Sequence, residues 1–310
     1  MRRRLAVLIA ANLAALLLAA LVLAALATQA RAQDDGPRVY QLAPVGARNV
    51  TAFLVNKRGN ELPEPGSVAP GADIDTDILV LRYAETFEIA GRPVTPFAIL
   101  PFGEVRRTGA ASSSGLGDIQ LGGTVGLLGA PALTPAAYAA YAPGFGVQIL
   151  GRVFFPTGAY DGDQPLNLGS NRAAFQVGLP TVFAAGRSYR EPGLTSLEVL
   201  PTVTFYAPNE DPFGGARSEK DPFLTVEAHL TRTLGDRLWV SADLLYRRGG
   251  ETETDGVRDA NGMHGWSAGG SLALPFVSRT SLIFTWQQVI ERSDDGPDGW
   301  FFRTALVAPF

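Results

Sequence analysis

The chain has only two histidines, His229 and His264. Thr225, Glu227, His229 and Thr231 share one parity of an alternating stretch, so His229 stands beside Glu227 on one face of a strand. A histidine next to a carboxylate has the makings of a general base with its orienter. A barrel-embedded hydrolase using His229 and Glu227 is therefore one reading. A polar residue in an interior hydrogen-bond network is the simpler and favoured one. Ser267 sits in Gly265-Trp266-Ser267-Ala268-Gly269, which matches G-x-S-x-G. That elbow needs a strand, a sharp turn and a helix, whereas this string lies inside an alternating strand. His264 has the opposite parity to Ser267. No catalytic residue is assigned, and a non-enzymatic role is expected.

Metal and cofactor chemistry finds little support. There is no cysteine, which excludes thiolate zinc sites and disulfides. Asp161 and Asp163, and Asp294, Asp295 and Asp298, are oxygen clusters of the kind calcium uses. The loop of Asp161 and Asp163 lacks the closing glutamate of a calcium-binding loop, and both clusters read better as solvated loops. The glycine-rich strings around Gly122 and Gly269 open no helix, so they do not cradle phosphate. No cofactor and no metal are expected.

The informative polar residues form a set. Asp118, Gln120, Gln148, Arg152, Arg172, Gln176, Glu198, Glu227, His229, Asp243, Arg247, Gln287, Glu291 and Arg303 all take the polar parity of alternating segments. Both charge signs occur. Burying so many charges in a dry core is costly, whereas a wet or salt-bridged lumen accommodates them. One arrangement would pair Arg152, Arg247 and Arg303 with Asp118, Asp243 and Glu291, plugging the bore of a structural or adhesive barrel.

The elements that carry this set are strands. Period 2 dominates: Ile119, Leu121, Val125 and Leu127 oppose Asp118, Gln120, Thr124 and Gly126, and Leu238, Val240, Ala242, Leu244 and Tyr246 oppose Ser241, Asp243 and Arg247. Twelve such segments run roughly 49–58, 75–89, 93–107, 115–128, 145–155, 171–184, 195–207, 222–234, 237–248, 264–277, 280–291 and 299–310. Each is near or above the length of a tilted membrane-spanning strand. Glu85 interrupts an apolar face, and Pro96, Pro101, Pro180, Pro201 and Pro275 each remove a ladder donor. Bulges or register errors are expected there. The alanine-rich stretch 131–141 is a candidate short helix.

The connections alternate in length. The first, third, fifth and later odd loops are long and polar, while the even ones include tight turns at Ala90–Arg92, Gly235–Arg237 and Ser278–Arg279. Short periplasmic turns with longer external loops mark an outer-membrane barrel. Closure pairs every backbone group in lipid, and Tyr83, Phe87, Tyr246, Trp266, Trp286, Trp300 and Phe310 would form aromatic girdles. An even number of strands puts both ends on the periplasmic side.

The opening of the chain agrees. Arg2–Arg4, a long Ala/Leu run and Ala30-Arg31-Ala32 have the layout of a secretory signal cleaved after Ala32. Removing Arg2, Arg3, Arg4 and Arg31 takes four of 26 basic residues and leaves 22 against 30 acidic ones, a net charge of −8. An acidic exported chain is a poor partner for nucleic acid. The expected organisation is a signal peptide at 1–32, a periplasmic N-terminal segment at 33–48 and an outer-membrane β-barrel at 49–310. The fold class is all-β, a closed antiparallel transmembrane barrel of about twelve strands.

In order, the motifs RVYQLAPVGARNV (Arg38–Val50), DIDTDILVLRYAETFEIAGRP (Asp73–Pro93), SGLGD (Ser114–Asp118), LNLGSNRAAF (Leu166–Phe175), GGARSEKDP (Gly214–Pro222) and GGETETDGV (Gly249–Val257) resemble the family of the MetA pathway of phenol degradation. The resemblance covers nearly all of the mature chain. It implies an exported outer-membrane barrel of transporter type, linked to aromatic catabolism, and carries over no individual catalytic or binding residue. The expected function is an outer-membrane channel or transporter for small solutes, with aromatic and apolar compounds as candidates. The expected partners are outer-membrane lipid, a small-molecule solute and the outer-membrane assembly machinery. The last strand carries the assembly signal for that machinery: Trp300, Phe302, Leu306 and the terminal Phe310 face lipid, and Arg303 faces the lumen.

Overall fold

Alternating apolar and polar residues can bury one face of a strand and wet the other, and twelve such strands arranged in a ring leave no edge unpaired. The computed structural model describes residues 35–109, 112–277 and 279–310. The expected signal at 1–32 and Gln33 lie outside the described residues. The strands are β1 (Arg48–Gly59), β2 (Ile74–Glu85), β3 (Phe87–Ile89), β4 (Arg92–Arg107), β5 (Ser112–Leu116), β6 (Gln120–Leu128), β7 (Phe145–Phe154), β8 (Ala174–Gly178), β9 (Thr181–Ala185), β10 (Thr195–Tyr206), β11 (Ser218–Lys220), β12 (Phe223–Gly235), β13 (Leu238–Gly249), β14 (Thr252–Thr254), β15 (Val257–Arg258), β16 (Met263–Pro275), β17 (Ser281–Arg292) and β18 (Gly299–Pro309). One short helix, α1, covers Pro135–Ala140, inside the alanine-rich stretch, with Thr134 as its N-cap.

Each barrel strand pairs antiparallel with its neighbours in sequence, and β1 pairs with β18 from Asn49↔Pro309 to Gly59↔Gly299. The barrel is closed and has twelve staves. Three of them are interrupted: β2/β3 at Thr86, β5/β6 at residues 117–119, and β8/β9 at Leu179–Pro180. Each break faces a proline on an adjacent stave. The register that runs Ala84↔Phe97 and resumes Phe87↔Val94 skips Pro96. Pairing of β4 passes from Phe102↔Leu116 to Ile99↔Gln120 around Pro101. Pairing of β10 passes from Thr202↔Gly178 to Val199↔Thr181 around Pro201. A proline has no N–H for the ladder, and what remains at the last two breaks is its carbonyl, accepting from Gly117 and Leu179. Pro275 falls on the final residue of β16, where a lost donor matters little.

One end of the barrel carries tight turns. Ala90 and Gly91 both have positive φ, 50° and 75°, between the paired residues Ile89 and Arg92. This is the two-residue turn whose twist suits a hairpin. Both chain ends of the barrel lie there too, with the Phe310 N–H donating to the Arg48 carbonyl. Long loops gather at the opposite end, where β11, β14 and β15 form a small separate sheet.

The outside is apolar. Leu54, Leu81, Phe102, Leu121, Phe175 and Leu230 are among many large hydrophobic side chains exposed on the outer wall. A continuous apolar band of this kind suits lipid and is ill suited to water. The Tyr246 and Trp266 rings meet at 4.7 Å, tilted by 44°, and Tyr83 meets Phe310 at 6.3 Å. Glu85, the residue that broke the apolar pattern, sits at the turn end, where Arg48 and the Tyr83 hydroxyl bind it. On β18, Phe301, Arg303 and Ala305 are buried inside, while Leu306, and Phe310 just past the strand, are exposed outside.

Candidate functional site

The bore is filled from both ends. Residues 35–47, expected as a segment ahead of the barrel, run inside it before turning out at the tight-turn end, where the Val45 and Gly46 N–H groups meet Leu133 and Thr86. The wall holds this segment by its backbone and its charges. Glu227 accepts from the N–H groups of Asp35 and Gly36, at 3.1 Å and 3.4 Å for its Oε2. Glu198 accepts from the Arg38 N–H at 2.7 Å and the Gln41 amide at 2.7 Å. The Arg38 side chain reaches Thr231 and Thr233 and lies over the Trp239 ring. Gln148 donates to the Tyr40 carbonyl at 2.5 Å. Arg152 grips the Asp35 carboxylate at 2.7 Å and donates to the Tyr40 hydroxyl at 3.0 Å.

From the other end the first long loop folds inward. Glu61 is paired with Arg247 at 2.6 Å and with Lys57. Burial alone would raise its pKa, but Arg247 and then Lys57 outweigh it and hold the carboxyl at about 2. Glu64 is likewise held below the usual carboxylate range: burial opposes its charge, and Lys220 and Arg172 overcome that. Lys220 reaches Glu64 at 2.8 Å and the Ser67 hydroxyl, and Arg172 reaches Glu64 at 3.2 Å. Gly66 (φ +71°) rests on the Phe223 ring so closely that a β-carbon would lie 2.7 Å from Cγ.

Between these two inserts lies a cavity of ≈ 240 Å³. Phe53, Ile99, Phe154 and Phe301 contribute apolar wall; Lys57, Arg82, Arg152, Arg247 and Arg303 contribute positive charge, and Asp35, Glu61, Glu64, Asp118 and Glu227 contribute negative charge. An apolar chamber with a few placed polar groups is the usual form of a small-molecule site.

The residues expected in the lumen divide clearly. Arg152, Glu198, Glu227, Gln148 and Arg303 hold the inserted segment, Arg303 through the Asp35 carbonyl at 3.4 Å together with Thr285. Arg172 and Arg247 hold the first loop. Gln120 accepts from Arg152 at 3.4 Å. Gln176 donates to Thr202 and Thr204, and Gln287 is fully buried in the bore. Asp118 borders the cavity but spends its carboxylate on the Gly158 and Ser170 N–H groups and the Ser170 hydroxyl. Glu291 is on the outside. A bulge shifts the register from Trp266↔Glu291 to Ser267↔Val289, so Glu291 shares the outward face with Trp266 and meets His264 at 3.3 Å. In place of the expected pairing of Arg152, Arg247 and Arg303 with Asp118, Asp243 and Glu291, Asp118 binds Gly158 and Ser170, Asp243 binds His229 and Ser271, and Glu291 meets His264 outside. Asp35 and Glu61 take two of those arginines instead.

The chemistry available to His229 follows from its neighbours. Nδ1 lies 2.8 Å from Asp243 and Nε2 3.3 Å from Glu227. A base that activates a nucleophile keeps one ring nitrogen for the hydroxyl, and here both nitrogens face carboxylates. Ser267 receives a bond from Arg247 and Ser271 donates to Asp243. Ser267 also sits inside β16, without the helix an elbow requires. The loop aspartates are spent locally: Asp161 accepts from the Asp163 N–H, and Asn167 braces the same turn.

Asp35, Tyr40, Lys57, Glu61, Glu64 and Arg82 are part of the site and were missed by sequence reasoning. Arg82 alone carried a local signal, since its parity with Val80 and Ile78 opposes Leu79, Leu81 and Tyr83.

The family described as "Putative MetA-pathway of phenol degradation" matches residues 58–302. Among solved structures, the COG4313 outer membrane channel from Pseudomonas putida F1 is similar over 89% of this chain and 100% of its own, with 18% identity and a TM-score of 0.73. The translocator domain of the autotransporter NalP from Neisseria meningitidis aligns over 86% of this chain and 90% of its own, with 10% identity and a TM-score of 0.45. No curated protein matches the chain.

Proposed function

The chain belongs to this MetA-pathway family, and on that premise we propose that it is an outer-membrane channel for small solutes. The observation that carries the reading is the chamber itself. A closed barrel with an apolar outer wall encloses a cavity of ≈ 240 Å³ whose lining is part aromatic and part charged, with arginines and carboxylates both present. Such a cavity is too small for a peptide or oligosaccharide and large enough for one ring with a polar group. Aromatic and apolar compounds are the solutes it suits. The two inserts that bound it, residues 35–47 and the loop from Asn60, act as the lower and upper gates of the path. The chain is not a hydrolase in this reading, because both nitrogens of His229 are engaged by carboxylates.

The test is electrical. Purified mature protein in a planar bilayer should give discrete conductance steps, and proteoliposomes should take up small aromatic solutes faster than protein-free vesicles. Conductance and uptake equal to those of empty lipid would overturn the proposal. Hydrolysis of ester or peptide substrates that disappears in His229→Ala would favour the enzyme instead.

A further inference from the structure

Arg82 has no assigned task in holding either insert. It projects from β2 into the bore, opposite Thr51 and Ile99 in the ladder, and borders the chamber. Its guanidinium lies 4.9 Å from the centre of the Phe97 ring. Among the described residues, no oxygen accepts a hydrogen bond from it. A guanidinium carries five N–H donors in a planar fork, and the half-buried Arg82 keeps them turned to the chamber. Arg152 stands over the same Phe97 ring at 5.4 Å. Its Nη2 holds Asp35, while its Nε has no acceptor among the described residues. Val80, Ile99, Phe53 and Phe301 line the chamber beside them.

Two arginines on one aromatic ring, with donors to spare and apolar walls alongside, match one kind of guest. We propose that Arg82, assisted by Arg152, anchors the carboxylate of a small apolar acid, with the apolar body of that acid lying in the chamber. Arginine forks suit carboxylates because two parallel N–H···O bonds fit the planar group. The volume limits the body to about one ring. Asp35 gives the site an internal competitor: its carboxylate occupies Arg152 and is among the charges that act on Arg82. A guest carboxylate and the inserted segment then contend for the same donors, so loading the site loosens the lower gate. The inference deepens the channel reading by naming the class of solute, and it rests on that reading for its role in transport but not for binding.

Benzoate serves as the probe, benzyl alcohol as its uncharged counterpart, and calorimetry on the mature protein in detergent as the measurement. In the unmutated chain benzoate should bind about tenfold or more tightly than benzyl alcohol, as expected for charge-assisted bonds. Arg82→Gln should remove that preference and leave benzyl alcohol unchanged. Asp35→Asn should tighten benzoate by releasing Arg152. Equal binding of the two probes by the unmutated chain overturns the proposal without any variant. So does Arg82→Gln that folds and still prefers benzoate. Bilayer conductance separates this from the channel reading: conductance without benzoate preference removes the site and leaves the channel, whereas benzoate preference without conductance does the reverse.

Discussion

The Glu61 carboxylate lies 2.6 Å from the Arg247 guanidinium, joining the first long loop to the C-terminal end of β13. Lys57 shares the same carboxylate. All three side chains are almost wholly buried. Removing one charge from such a group leaves the others uncompensated, which costs about 3–5 kcal/mol when a buried pair is broken. Glu61→Gln should therefore lower thermal stability and raise single-channel conductance, because the upper insert loses its tether. An unchanged conductance would show that the loop is held by Glu64 and Gly66 instead.

The same group sets a pH dependence with a definite sign. The folded carboxyl of Glu61 titrates at about 2 against an ordinary value of 4.5. A depressed carboxylate contributes stability that is complete above the ordinary value and is lost as pH falls toward the folded one. The Tm gap between the unmutated chain and Glu61→Gln should thus be constant from pH 8 to about pH 5 and shrink below about pH 4.5. Thermal melts across that range check it, and a gap that already closes near neutrality would contradict the assignment.

Gly36 offers a way to dislodge the lower insert. It has φ +93°, and a β-carbon there would fall 2.0 Å from Nη2 of Arg303. Alanine meets both a backbone it rarely adopts and a buried arginine. Gly36→Ala should free residues 35–42 from the bore, make them accessible to protease and raise conductance several-fold, with the barrel intact. Protection from protease equal to that of the parent would show that the segment tolerates the change.

Phe310 bears on assembly more than on the finished barrel. It is exposed beside Tyr83 and is tied to the fold by its backbone bond to Arg48. If the last strand carries the signal read by the assembly machinery, deleting Phe310 should reduce the amount of inserted protein while leaving the Tm of whatever inserts within about 1–2 °C, as expected for a loss near the ±0.5 kcal/mol of surface changes. A normal yield from cells would contradict this.

The barrel was legible because strand parity is a local property. Alternation alone put Arg152, Glu198, Glu227, Asp243 and Arg303 on the inside and Leu306 on the outside. The prolines at 96, 101 and 201 also marked where the ladder opens, since a missing N–H acts on the adjacent stave. Glu291 misled because the extra residue Ile290 bulges β17 between the pairs Ser267↔Val289 and Trp266↔Glu291 and reverses parity beyond it; the alternation of β17 up to that point gives no sign of it. The contents of the bore were not legible for a different reason. Asp35 meets Arg152 across |i−j| = 117, and Glu61 meets Arg247 across |i−j| = 186. Such pairings depend on which segment enters the lumen, and no spacing rule encodes that.

The seam between β1 and β18 has a kinetic consequence. It is the last contact the chain can make in order of synthesis, and the bonds it shelters include one between Arg303 and Asp35, 268 residues apart. Contacts of such long separation are entropically expensive to form and slow the approach to the native state. Until that seam zips, the charged interior has an open flank. The inserted N-terminal segment gives Asp35 to Arg152 and takes backbone contacts from Glu227 and Glu198. Its docking therefore waits on β7, β10 and β12 standing in place, and belongs to the slow, long-range part of folding.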